Sequence, residues 1–507
     1  MLFNSYIFIF CFLPICIVGY FLLNKTGNYR LGHGFLLGMS LWFYGYFNPS
    51  YLLIIVSSII INYLIYKWMK TLQHKTLLEA ATENPELDIL PVSSVGRLKS
   101  SKPVMIFGVI VNLGIIFYFK YMDFFIENVN AIAKTDWPLM HIMLPLGISF
   151  FTFQQISFIV DTYRGEVPDY GFLTYACYVT FFPQLIAGPI VTHDELIPQL
   201  RDSNKKKINW DNMAKGFYMF AMGLGKKVLL ADVFGVAVSW GFEDVPSLKA
   251  TNAILVLLAY CFQLYFDFSG YCDMAIGLGQ MLNIDLPVNF DSPYKSLTIT
   301  EFWNRWHMTL SRFFTRYVYI PLGGNRKGNV RTYFNLFIVF LLSGFWHGAA
   351  WTFVLWSVLN GIFVIITRMF RKQFEGMHPA LGWMITQGFF NLTLVFFRAN
   401  TISDAIEFIK QILYVDFTNI DVHILYAFQT PALKYFLDGT PVTHSLPFIY
   451  VGLYYFLALF IVLGSRNSHE LMAAFKPNLK NMLWTAVLIV ASVMSLSGIS
   501  TFLYFNF

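Results

Sequence analysis

Two histidines forty residues apart are the side chains in this chain best suited to move a proton. His347 lies in LLSGFWHGAAWTFVLW (341–356) and His307 in ITEFWNRWHMTLSRFF (299–314), both otherwise apolar or aromatic. A neutral imidazole has its pKa near working pH and can accept a proton from a hydroxyl. The same residue can equally be a packing histidine that hydrogen-bonds across a helix interface. Gly344 and Gly348 form a G-x-x-x-G pair that lets a neighbouring helix approach closely. With Ala349 and Ala350 they also leave room for a substrate to reach His347.

Other polar groups share this region. Asp267 and Asp273 sit six residues apart in QLYFDFSGYCDMAIGLG (263–279), where Gly270 is expected to break the helix. Ionisable groups at membrane depth are costly and mark either a function or a pairing. Each Asp can line a polar cavity or pair with a nearby cation to hold the fold. Thr298 and Glu301 have capping-box spacing, which predicts a helix start. Glu301 and Arg305 are four apart and can pair on its surface. A continuous amphipathic helix would then put Trp303, His307, Leu310 and Phe314 on one face, with Trp306 and Arg316 giving it an interfacial character. The GGNRKG turn (323–328) offers flexible amides and two cations. Arg305, Arg326 and Lys327 are the candidate cations for a phosphate-bearing donor, although a basic turn is also what an ordinary cytoplasmic loop looks like.

The elements that must position these groups are membrane helices. Of 507 residues only 13% are charged and 56% are hydrophobic, against about 25% charged in ordinary globular chains. A soluble protein this apolar could not cover its surface. The aromatic share, 19%, suits membrane interfaces. About a dozen apolar segments approach the roughly 20 residues needed to span. They begin with Tyr6–Leu23, Leu31–Phe47, Tyr51–Trp68 and Val104–Phe125 and end with Leu446–Leu463 and Met482–Phe505. Leu173–Ile190 and Phe217–Trp240 are among them. The stretch 143–161 is apolar but interrupted and reads as re-entrant. Irregular backbone at that depth needs protein or a water-filled cavity around it. The chain is thus expected to be an all-α polytopic membrane protein.

Loop charges orient it. The 24–30 and 67–102 loops are basic and the 48–50 loop is neutral, which places the N-terminus outside and the basic loops, with 201–207, 312–331 and 466–480, in the cytoplasm. The first span reads as a retained helix rather than a signal peptide. The net charge of +6 is then a topology signal and does not suggest nucleic-acid binding. Residues 69–102 read as a partly helical cytoplasmic loop and 413–445 as an aqueous loop. Without repeats or a soluble domain, 1–507 reads as one membrane domain. Cys11, Cys16, Cys177, Cys261 and Cys272 lie in or near apolar segments, none in a C-x-x-C pair, and read as small hydrophobes. There is no P-loop and no H-E-x-x-H, so no metal site is expected. GLGKK (223–227) and GLG (277–279) are expected to let helices pack closely.

The run ITEFWNRWHMTLSRFF, YIPLGGNRKG, LLSGFWHGAAWTFVLW resembles the membrane-bound O-acyltransferases (MBOAT), in the bacterial branch that includes alginate O-acetylases and the D-alanyl transfer proteins of teichoic acid synthesis. Supporting stretches are LPLGISFFTFQQISFIVDTYRG (144–165) and FFPQLIAGPI (181–190), and the likeness covers roughly residues 1–400. The resemblance implies a ring of helices and re-entrant segments around a central funnel. It implies that His347 is the reactive histidine and His307 its upstream companion. It further implies transfer of an acyl group from a cytoplasmic thioester donor, such as acetyl-CoA, to a hydroxyl at or beyond the outer face of a bacterial inner membrane. The acceptor would be an exported polysaccharide, alginate or similar, often reached through a secreted or anchored esterase-like partner. No bound cofactor is implied. D-alanyl transfer to teichoic acid from a carrier-protein thioester is the alternative within the family, and the acidic stretch 79–88 does not suit docking of an acidic carrier. A transporter or channel without covalent chemistry is the alternative outside it, and predicts paired half-helices in the two halves of the chain.

Overall fold

The computed structural model describes residues 1–83, 99–417, 419–429, 446–496 and 502–503. Among the described residues the regular structure is helical, with one isolated antiparallel bridge between Phe290 and Trp306. Six helices are long and apolar enough to cross a membrane: Ser50–Thr76, Lys102–Ala133, Ala250–Met281, Trp351–Met369, Pro379–Arg398 and Leu446–Gly464. Phe8–Asn24 and Leu479–Met494 are shorter apolar helices. Large apolar side chains such as Leu53, Leu64 and Phe456 are exposed on them, as lipid contact requires. The protein is an all-α polytopic membrane protein.

Other expected spans are broken, for visible reasons. Phe172–Thr180 ends where the chain turns at Phe181 before Pro183, so Leu173–Ile190 is not one helix. Trp210–Gly225 and Asp232–Gly241 are joined by a wider π-helical stretch, Lys226–Ala231, that carries two lysines. Residues 138–147 have no helix, and Ile148–Tyr163 behind them is buried along nearly its whole length. The irregular stretch itself stays largely exposed as far as Met143, and only the helix behind it is enclosed. Two expectations are corrected. Gly270 does not break a helix, because Ala250–Met281 runs through it. The 413–445 stretch is not all loop, since Val422–Ala427 is helical and buries Ile424, while residues 430–445 lie outside those described. Within 69–102 the helix Ser50–Glu83 and the turn Lys99–Ser101 are described, and 84–98 are not. The five cysteines are unpaired by disulfides and four are buried.

The chain divides into two compact units. The first comprises Met1, Ile7–Met213 and Gly279–Pro287, and the second Leu2–Tyr6, Ala214–Leu278 and Val288–Phe507. In the first unit, polar bonds gather the basic loops. Lys206 Nζ reaches Tyr20 Oη at 3.2 Å and His33 Nε2 at 3.1 Å, on either side of the 24–30 loop. Lys67 pairs with Asp169 at 2.8 Å, and Gln73 donates to Thr162 O and Ser101 Oγ. The core of the second unit is packed around Ala250–Met281, and all candidate site residues belong to this unit.

Candidate active site

The turn that presents His307 is built from two short helices. Ile299–Arg305 starts as its sequence predicts, with Thr298 Oγ1 accepting from the Glu301 amide at 3.2 Å. Glu301 then reaches back to the Leu297 amide and pairs with Arg305 at 3.0 Å. After seven residues the helix stops, because Phe290 and Trp306 pair as extended backbone and Asp291 N donates to Arg305 O at 2.9 Å. His307 follows at φ 47° and ψ 50°, in the left-handed region, and Met308–Phe314 begins a new helix. The expected continuous amphipathic helix is therefore corrected. A left-handed residue between two helices breaks the 3.6-residue register that would have aligned Trp303, His307, Leu310 and Phe314. A non-glycine residue there costs about 1 kcal/mol or more, which the surrounding bonds must offset.

His347 reaches the same place from another element. It is the last residue of Gly328–His347, which turns back into Trp351–Met369. Its ring lies 5.3 Å from Trp356 and 5.2 Å from Phe397, both edge-on. The His307 ring lies 6.4 Å from it, centroid to centroid, with Phe268 4.8 Å and Trp346 5.8 Å on its other sides. His307 is 2% and His347 6% exposed. The structure thus brings the two histidines together inside an aromatic wall.

The small residues around His347 have a different use from the one expected. A Cβ on Gly344 would lie 2.3 Å from Ser357 Oγ, and one on Gly348 would lie 2.2 Å from the Phe353 ring. Both glycines are filled from outside by Trp351–Met369. They permit the close helix approach that G-x-x-x-G predicts and do not form clearance for a substrate.

Asp267 and Asp273 are paired, which was one of the two alternatives. Asp267 Oδ1 takes Lys227 Nζ at 2.7 Å, and its Oδ2 accepts from the Leu503 amide at 2.9 Å. Asp273 takes Lys226 Nζ at 2.7 Å, and that lysine also bonds Ser468 Oγ at 2.6 Å. Two aspartates six residues apart on an α-helix point about 120° apart, so adjacent lysines serve one each. The close approach rests on Gly223 and Gly270, where a Cβ on either would lie within 2.8 Å of the other's carbonyl oxygen. The partners were in GLGKK all along. Two lysines in an apolar run are themselves a pairing signal.

The candidate donor cations do not converge on the histidines. Gly328–His347 is 20 residues long, which spans about 30 Å. Arg326 and Lys327 precede its first turn, so they cannot contact the group that His347 touches. Arg305 is near in sequence to His307, but it pairs with Glu301 and donates to Asp291 O. Asn289 was missed by the sequence reading. It is buried and binds the start of the helix after His307. Among the described residues no three His, Cys, Asp or Glu side chains are gathered as a metal site.

Comparison with known proteins places this geometry. The model of the membrane-bound O-acyltransferase family matches residues 161–402, which include both histidines. A peptidoglycan O-acetyltransferase of Helicobacter pylori is 42% identical over 440 residues, covering 81% of this chain and 79% of its own length. The chain belongs to the membrane-bound O-acyltransferase family. A Pseudomonas aeruginosa MBOAT relative, named probable alginate O-acetylase AlgI, is 36% identical over 413 residues, covering 80% of this chain and 73% of its own length. A teichoic acid D-alanyltransferase of Streptococcus thermophilus is 27% identical over 249 residues, covering 45% of this chain and 58% of its own. This MBOAT protein is an O-acyltransferase held in a membrane by several helices, and the channel reading falls away.

Proposed function

We propose that this MBOAT enzyme O-acetylates an exported cell-envelope polysaccharide, of the alginate or peptidoglycan kind, with a cytoplasmic acyl thioester such as acetyl-CoA as donor. The observation that carries the reading is the pair of buried imidazoles, 6.4 Å apart and held on separate elements. One ring nitrogen of His347 takes the proton of the acceptor hydroxyl. The hydroxyl oxygen forms its bond to the thioester carbonyl carbon, the C–S bond breaks, and the thiolate leaves and takes a proton. His307, on the adjacent side, orients the group that His347 touches. The aromatic wall keeps water from competing for the thioester. The acetyl group, rather than D-alanine, is favoured because the relatives named for O-acetylation match about four-fifths of the chain at 36–42% identity. Those named for D-alanyl transfer match less than half of it.

The whole chain acts as one membrane domain in this reading. It sits in a bacterial cell membrane with the N-terminus outside, supported by the bonds of Lys206 to Tyr20 and His33, which bring the basic 201–207 segment to the basic 24–30 loop. Arg326 and Lys327 then mark the cytoplasmic start of the helix that ends at His347. The last transfer to polymer passes through an esterase-like partner outside the membrane.

The test is acyl transfer by the purified protein in liposomes, with radiolabelled acetyl-CoA or a D-alanyl carrier on one side and soluble polysaccharide with the esterase-like partner on the other. Wild type is expected to transfer acetyl, and His347→Ala to lose it while inserting normally. Undiminished transfer by His347→Ala would remove His347 from the reaction, and label taken only from the D-alanyl carrier would reverse the choice of acyl group.

A further inference from the structure

We infer that Asn289 is the positioning residue of this site, capping from a distance the helix that His307 starts, so that the His307 imidazole is not spent on that task. The inference rests on the reading of His307 as a site residue.

A helix leaves its first amides without intrahelical partners, and the residue at the N-cap ordinarily satisfies one of them with its own side chain. His307 holds the N-cap position of Met308–Phe314, yet its side chain makes no capping bond. Its ring faces Phe268, Trp346 and His347 instead. The capping is done by Asn289, eighteen residues earlier. Its carbonyl oxygen accepts from Met308 N at 3.0 Å. Its side-chain Oδ1 accepts from Thr309 N at 3.1 Å and from Thr309 Oγ1 at 2.7 Å. Its Nδ2 donates to Cys272 Sγ at 3.4 Å, which ties the arrangement to Ala250–Met281. Asn289 is 1% exposed, so no water competes for these bonds.

The neighbouring residues repeat the design. Phe290 pairs with Trp306 through the backbone and packs edge-on against Phe268, which itself packs on the His307 ring. The left-handed backbone at His307 is thereby clamped on both sides, by Asp291 N on Arg305 O and by Asn289 on Met308 and Thr309. A displacement of about 1 Å at a reacting group can cost on the order of 100-fold in rate, so the clamp is expected to act on turnover more than on substrate affinity.

The experiment compares Asn289→Ala, Asn289→Asp and Asn478→Ala in the full-length protein, by acetyl transfer and by amide hydrogen exchange. Asn478→Ala removes the cap of Leu479–Met494, a helix that carries no site residue, and is the control for lost stability alone. Asn289→Ala is expected to lower kcat by roughly 10- to 100-fold with KM for the thioester unchanged, and to speed exchange at residues 308–310. Asn289→Asp keeps the acceptor oxygens for Thr309 and should restore turnover. Unchanged kcat in Asn289→Ala, an equal kcat loss in Asn478→Ala, or no rescue by Asn289→Asp would overturn the inference. If the wild type transfers no acyl group, the proposed function fails instead. The exchange at 308–310 still reports on the cap: unaltered protection in Asn289→Ala would refute it independently of activity.

Discussion

Replacing Lys227 by Met decides whether Asp267 is a structural partner or part of the reacting site. Lys227 Nζ lies 2.7 Å from Asp267 Oδ1 and 2.7 Å from Asp232 Oδ1. The Lys227 and Asp267 side chains are 2% and 4% exposed, whereas Asp232 keeps 26% and can still be hydrated. At 2.7 Å and an effective dielectric constant of about 20, one such pair attracts by roughly 6 kcal/mol before desolvation. Desolvation offsets much of that, but removing one partner leaves the other charge buried, at a cost of about 3–5 kcal/mol. Asp267 would keep the Leu503 amide at 2.9 Å, which points to the lower end. With an unfolding entropy of about 2.1 cal/mol/K per residue over 507 residues, ~3 kcal/mol lowers Tm by about 3 °C. Thermal unfolding in detergent measures this. The double variant Lys227→Met with Asp267→Leu should recover most of the loss, since an apolar pair of similar volume replaces the buried ions, and should still transfer acetyl. Wild-type melting of Lys227→Met would refute the energetic argument. A well-folded double variant as inactive as His347→Ala would place Asp267 in the chemistry.

Four further outcomes are expected. Gly344→Ala should destabilise by about 1–3 kcal/mol in thermal melts, because its Cβ meets Ser357 Oγ at 2.3 Å. Gly388→Ala, with open space around it, should be neutral or stabilising by less than about 1 kcal/mol. Arg326→Ala and Lys327→Ala should leave kcat unchanged and alter at most the KM for the thioester, as steady-state kinetics would show, because that turn lies a helix-length from His347. Burial lowers the Lys206 ammonium to about 8, against about 10.4 in an unfolded chain. Between those values the unfolded chain holds more protons, so this lysine makes stability rise as pH goes from 8 to about 10.4 and fall on the way back. Melting curves across that window should be flatter for Lys206→Met than for wild type.

The fold class was legible because a bilayer imposes length and composition on every span, and 13% charge with 56% apolar residues leaves no soluble alternative. His347 and His307 were legible for the same reason, as costly groups in apolar runs. The shape of the His307 turn was not. Capping-box spacing at Thr298 and Glu301 announced a helix start correctly, but local rules carry that helix onward past His307. What stops it is a pairing with Phe290 and Asp291, a non-local backbone contact that no periodicity reports. The same holds for Asn289, whose segment gives no local sign that its side chain caps a helix nineteen residues later.

By itself, then, the sequence determined an all-helical membrane chain, its family through the spacing of its motifs, and two histidines as the groups to watch. It also determined that Asp267 and Asp273 needed an explanation, since an unpaired charge at that depth is too costly to keep. Only the tertiary structure decided that the explanation is Lys226 and Lys227. It alone decided that Gly344 and Gly348 are filled by Phe353 and Ser357 rather than open to a substrate. It also decided that His307 turns toward His347. Burial cost and hydrophobic length act residue by residue and are written in the chain. Which partner satisfies a buried group depends on elements that meet only after folding.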